Sequence, residues 1–204
     1  TLSERLTRVV LEIAGRIPET DEHKSRGPDH RVRAIAAAAA NKAALAAGTL
    51  ALPPGPLGWL TIVPELTYIW RIQSQMVADI AGAYGASAEL TRSHMLYCLF
   101  RHAAAQAVRD IGAQVGARLL IQDVPLRAIE RAASKIGISL SKRLAGQGIA
   151  RWLPVIGALG VGAYAYYDTA QVARTAIALF GKGDVNIEPS SAKSVRVRQK
   201  PGHA

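Results

Sequence analysis

Apolar side chains recur at helical spacing along most of the chain, so the elements they predict are helices. Leu6, Val9, Val10, Ile13 and Ile17 form one stripe over residues 4–17. Glu4, Arg5, Arg8, Glu12 and Arg16 supply its wet face, and Pro18 ends it. Residues 18–28 are polar and read as a loop. A second helix is expected from about Asp29, as N-cap, to about Ala51, with a run of small residues at Ala36–Ala40 that lets another backbone approach closely. Pro53–Gly58 makes a rigid turn, and a third helix follows from about Leu60 to Tyr84, with Gly85 as its C′ residue. Ser87 is a suitable cap for a fourth, from Ala88 to about Leu120, with Gly112 or Gly116 as candidate breaks. Asp123-Val124-Pro125 restarts a helix that runs to about Ile136, followed by a short basic segment over Gly137–Leu144. Pro154 to Phe180 forms the last long helix, closed by Gly181. The expected fold is all-α, a compact bundle of five to seven helices in one domain over residues 1–181. A basic tail, 182–204, has few apolar side chains and is expected to be mobile unless a partner holds it.

Two stretches interrupt the usual amphipathic pattern. Ala43 to Pro64 and Trp152 to Tyr167 contain no charged residue. Pro53-Pro54-Gly55-Pro56 divides the first, and the second is about 16 residues, short of the ~20 needed to span a bilayer. Both read as apolar hairpin regions, buried or partly inserted at an interface, rather than as transmembrane helices. The mean hydropathy of +0.12 is far too polar for a chain made mostly of spans.

Composition supports the helical reading: the chain has 37 alanines and 18 glycines and is only 5% aromatic, which suits close helix packing and not a β-sandwich. One cysteine excludes an intramolecular disulfide framework and a multi-cysteine zinc module, and fits a reduced compartment. The net charge is +10, of which the tail holds about +3, so the helical body is itself basic. No signal peptide is visible, and a start at Thr1 rather than Met is what a trimmed N-terminus would give.

Polar side chains on apolar helices are the candidate ligand-binding residues. Glu65, Tyr68, Arg71, Gln75 and Asp79 share one face of the third helix, and Tyr164, Asp168, Gln171 and Arg174 form a similar line on the last. If the two lines meet, they make a semi-buried pocket for a polar head group or an acid/base site; otherwise they are a structural network or a solvated stripe. His94, Cys98 and His102 recur at steps of four, but the outer two stand ~12 Å apart along the axis and cannot share a metal. No metal or cofactor is expected. Neither a P-loop, a dinucleotide loop nor a Gly-x-Ser-x-Gly elbow is present; Gly157, Gly160 and Gly162 read as close helix packing. The basic surplus fits an anionic membrane surface better than nucleic acid, since aromatics interleave poorly with the basic residues. Basic residues from Lys135 to Arg151 adjoin the second uncharged stretch, and Trp59, Leu60, Arg151 and Trp152 are the candidate membrane contacts.

Asn41-Lys42, Leu52-Pro53-Pro54-Gly55-Pro56-Leu57-Gly58, Val63-Pro64-Glu65-Leu66, Arg71-Ile72-Gln73, Ala78-Asp79-Ile80 and Tyr84-Gly85 together resemble the EcsC protein family. So do Leu153-Pro154-Val155-Ile156-Gly157-Ala158-Leu159-Gly160, Tyr166-Tyr167 and Thr175-Ala176, and the resemblance covers about residues 30–181. It implies a bacterial helical protein, in a family named from an ABC-transporter operon and without an agreed activity, so no active site is carried over. Ala165 stands where family members often have a polar residue such as Asn. The resulting expectation is a non-enzymatic cytoplasmic protein, peripheral to the inner face of the cell membrane. It would associate with anionic membrane or a membrane protein and hold a lipid or other apolar molecule between helices. Two alternatives stand beside it: a helical adaptor or homo-oligomeric scaffold, and an enzyme with a polar pocket built from Glu65, Arg71, Asp79 and Asp168.

Overall fold

The computed structural model describes residues 1–50, 58–109, 125–146 and 154–181, and side chains within these except at 50, 58–62, 145–146 and 154–159. Among the described residues there are six bounded α-helices and no strand: α1 (Leu2–Gly15), α2 (Pro28–Leu50), α3 (Gly58–Ala83), α4 (Arg92–Phe100), α5 (Leu126–Gly146) and α6 (Pro154–Phe180). The protein is an all-α bundle, as its pattern predicts.

The boundaries show which local signals prevailed. Thr1 caps α1 by accepting from the Glu4 N–H at 3.3 Å, with the Glu4 side chain closing a capping box, so the helix starts earlier than the apolar stripe suggests. It stops at Gly15, and Ile17 is left outside it at 36% exposure. The segment that follows lies along α3: Gln75 Nε2 donates to the Glu19 carbonyl at 2.9 Å, Thr20 donates to Asp79 at 2.7 Å, and the Ser25 N–H meets the Ala83 carbonyl at 2.9 Å. Close approach at Gly82 permits this, since a methyl there would stand 2.7 Å from the Glu22 carbonyl oxygen.

α3 ends in a Schellman motif, with Ala86 N–H to Ala81 O and Gly85 N–H to Gly82 O, both 2.8 Å, and Gly85 at φ +77°. Ser87 does not cap a long helix. It opens a short 3-10 turn, Ser87–Glu89, and Thr91 caps α4 instead, with His94 Nδ1 accepting the Thr91 N–H at 3.1 Å. The expected helix from Ala88 is therefore shorter: α4 ends at Phe100, a turn follows, and residues 105–109 are helical again. Gly112 and Gly116 lie outside the described residues, as do Pro53–Leu57 and the tail. Gly137 does not break its helix; α5 runs continuously from Leu126 to Gly146.

Cross-links fix the helix directions. Tyr84, just past α3, donates to Asp29 at the start of α2 (3.2 Å), and its ring packs beside Gly181 just past α6. At the other end Gly162 of α6 lies against the Ala44 carbonyl and Gly48 of α2. So α2 runs antiparallel to α3 and α6, which are parallel to each other. α1 packs chiefly on α5, and α4 joins this pair to α3 and α6. The main core lies between the two groups, around Leu6, Val10, Met76, Ile80, Leu96 and Ile136, with Trp70 and Phe100 edge to face at 5.1 Å.

Cys98 is fully buried in this core, and desolvation pushes its thiol above the usual range. Alkylation at neutral pH is therefore expected only after unfolding. Native protein that reacts as fast as a free thiol would show that α4 opens independently.

Candidate functional site

Antiparallel packing of α2 against α3 and α6 has a consequence for the two uncharged stretches. The C-terminal turns of α2 and the N-terminal turns of α3 and α6 lie at the same end of the bundle. A second, smaller core of Ala43, Ala47, Ile69, Ile72 and Ala165 holds these helices together there. Apolar residues remain outside that core: Leu45 is 71% exposed, and Tyr68, Tyr164, Tyr166 and Tyr167 are each about half exposed. Trp59 and Leu60 belong to the first turn of α3, but their side chains are outside the described set, and Arg151 and Trp152 lie outside the described residues altogether.

The two polar lines go to separate partners. On α3, Arg71 bridges to Glu12 of α1 at 3.4 Å, both side chains being largely exposed, while Gln75 donates to Asp79 Oδ1 at 2.9 Å. Tyr68 is exposed, and Glu65 is 4% exposed, set into the protein rather than on the outer stripe. On α6, Tyr164 and Arg174 are exposed and Gln171 is half-buried; none makes a side-chain hydrogen bond among the described residues.

Asp168 is the one member of its line that joins a network. It accepts from Gln73 Nε2 at 2.7 Å on Oδ2 and pairs with His102 Nε2 at 2.6 Å on Oδ1, so it ties α6 to α3 and to the turn after α4. Gln73 is wholly buried and also donates to Thr169 at 3.1 Å. Among the described residues Gln73 Oε1 and His102 Nδ1 are buried without a hydrogen-bond partner. Desolvation, and then Asp168, raise the Tyr164 phenol above its usual range, with Arg143 acting the other way. An imidazole–carboxylate pair can hold and move a proton, but His102 Nδ1, the atom that a substrate would need, is enclosed.

Sequence spacing missed Gln73, although it occupies the core register between Ile69, Met76 and Ile80. A lone Gln at such a position signals a buried partner. His102 was visible only as part of a histidine–cysteine series, and its three members have different surroundings: His94 caps α4 and packs edge to face on Phe180, Cys98 is in the core, and His102 meets Asp168.

A groove of about 490 Å³ lies between α2 and α3. Buried Ile72 and Met76 help form its apolar floor, and Glu22, Arg31, Lys42, Gln75 and Asp79 its rim. Arg31 is paired with Glu22, whose carboxyl is held below the usual range chiefly by that hydrogen bond. Lys42 has no partner among the described residues. The rim is charge-balanced, and the groove suits a small amphipathic guest better than an anion alone. No groups of three or more metal-ligating side chains, and no helix long and apolar enough to cross a membrane, occur among the described residues.

The site thus belongs to a helical bundle with an end whose described helices are poor in charge, a tightly bonded polar node beneath it and an open lateral groove. No family model, curated protein or solved structure matches the chain.

Proposed function

We propose that the protein is a non-enzymatic, EcsC-like helical module that docks on one face of a membrane through the uncharged end of α2, α3 and α6. The convergence of two uncharged stretches, far apart in sequence, at one end of an antiparallel helix group supports this reading. An end of this kind can bury apolar side chains in the outer part of a bilayer while the one charged side chain on its described helices, Glu65, stays inside the bundle. The basic body then adds attraction to anionic lipids, as at the inner face of a cell membrane.

Leu45 is the sharpest probe, because it is exposed and its replacement disturbs no packing. Burying its side chain contributes about 1.5–2 kcal/mol, so Leu45→Asp is expected to weaken binding to phospholipid vesicles at least ~10-fold. Thermal stability should stay within about 0.5 kcal/mol of wild type. Co-sedimentation with vesicles measures the first and denaturant titration the second. Equal binding by Leu45→Asp and wild type would sink the proposal. A protein that ignores vesicles but gains mass with concentration in light scattering would instead assign this end to a second copy of the chain.

A further inference from the structure

The uncharged end has a sharply placed border. Gln73 of α3 is level with Asp168 and Thr169 of α6, and Gly162 of α6 is level with Ala44 to Gly48 of α2. These registers put Lys42, Arg71 and residues 164–168 at one height. Arg143 of α5 joins them there, since it acts on the Tyr164 phenol and donates to the Ala103 carbonyl at 3.2 Å, next to His102. By the same registers the four exposed tyrosines, 68, 164, 166 and 167, lie within about one helical turn of that height. Beyond them, the described parts of α2, α3 and α6 carry one charged side chain, Glu65, and it is buried.

Resting on the docking reading above, we propose that Lys42, Arg71 and Arg143 form a cationic collar for the phosphates of anionic phospholipids, with the tyrosines as its interfacial belt. Tyrosine is enriched at headgroup depth because its ring is apolar and its hydroxyl is wet, and cations beside it meet the phosphates. Lys42 has no competing partner among the described residues, and the exposed Arg71–Glu12 pair is weak enough to exchange for a phosphate. From the collar, α2 continues for about 12 Å to Leu50 and α6 for about 18 Å to Pro154, at ~1.5 Å per residue. One leaflet of hydrocarbon is about 15 Å thick. The described helices of this end are therefore about as tall as a single leaflet, which fits an end that enters and does not cross.

The test is co-sedimentation of the full chain with vesicles of phosphatidylcholine alone and of an equimolar phosphatidylcholine–phosphatidylglycerol mixture. Lys42→Ala is expected to weaken binding to the mixed vesicles about 5-fold and to leave binding to phosphatidylcholine unchanged. Arg33→Ala, on the same helix but toward the opposite end of the bundle, should change neither by more than ~2-fold, because its charge lies more than a Debye length from the collar. Arg143→Gln should behave like Lys42→Ala, and because Lys42 is exposed its variant keeps the test independent of folding. Equal losses for Lys42→Ala and Arg33→Ala would overturn the collar in favour of diffuse attraction. Wild type that binds both vesicles equally would also overturn it, while a Leu45→Asp defect on the same vesicles would leave the docking reading standing. Failure of wild type to bind either vesicle would end both.

Discussion

Asp168→Ala should lower the stability of the protein by about 2–4 kcal/mol, because two donors lose their acceptor together. Among the described residues the Nε2 of buried Gln73 keeps only Thr169, and His102 Nε2 has no other hydrogen-bonded partner. In a chain of this length the loss corresponds to roughly 5–15 °C in Tm. Urea titration gives the free energy directly. Asp168→Asn should fall between, since its amide oxygen can still accept from one partner while its NH₂ faces the other. A double-mutant cycle with His102→Ala isolates the 2.6 Å pair, and a coupling of ~0.5–3 kcal/mol is expected for directly bonded side chains. A value near zero, with Asp168→Ala as stable as wild type, would mean that the node does not hold α6 to the rest of the bundle.

Gly137→Ala and Gly160→Ala should shift stability in opposite directions, although both place a methyl inside an α-helix. At Gly137 that methyl would come within 2.8 Å of the Ser3 carbonyl oxygen and 2.9 Å of the Thr7 nitrogen, both backbone atoms of α1. α1 must then move away from α5 along its main contact, at about 1–3 kcal/mol for the overpacking. The better helix propensity of alanine offsets at most about 1 kcal/mol of this. At Gly160 no described atom outside its own stretch of helix lies within 4 Å of the added methyl, and the propensity gain of up to ~1 kcal/mol is uncompensated. Gly137→Val should exceed both, because its second methyl meets the same backbone. Should Gly137→Ala match or exceed wild type in a denaturant melt, the close α1–α5 approach would be disproved.

Helical periodicity was enough to place α1, α2, α3 and α6 within a few residues, because each buries one continuous stripe. Where it went astray, a contact at the boundary was responsible. The Thr1 and Thr91 capping boxes set the starts of α1 and α4, overriding the ends of the apolar runs and the alternative cap at Ser87. Gly137, a breaker by propensity, stays helical because its bare face is where α1 lies. Glycine is read from sequence as a flexible residue, and only a neighbour shows that it is there for space.

The candidate site divides in the same way. Absence of charge over Ala43–Pro64 and Trp152–Tyr167 is a property of the sequence alone, as are the surplus of Lys and Arg and the clustering of tyrosines at 164–167. These determine that the chain is a basic helical protein with two apolar segments. That the described parts of both segments share one end, with Lys42, Arg71 and Arg143 at a common height beneath it, depends on the antiparallel register of α2 against α3 and α6. Likewise Arg71, Gln75 and Asp79 of the polar line on α3 turned toward residues 12–20, while Gln73, one step off that line, met Asp168. A sequence specifies which face of a helix is polar, since 3.6-residue periodicity is local. Which neighbour that face meets is settled by packing among helices distant in the chain, and only the tertiary structure carries that information.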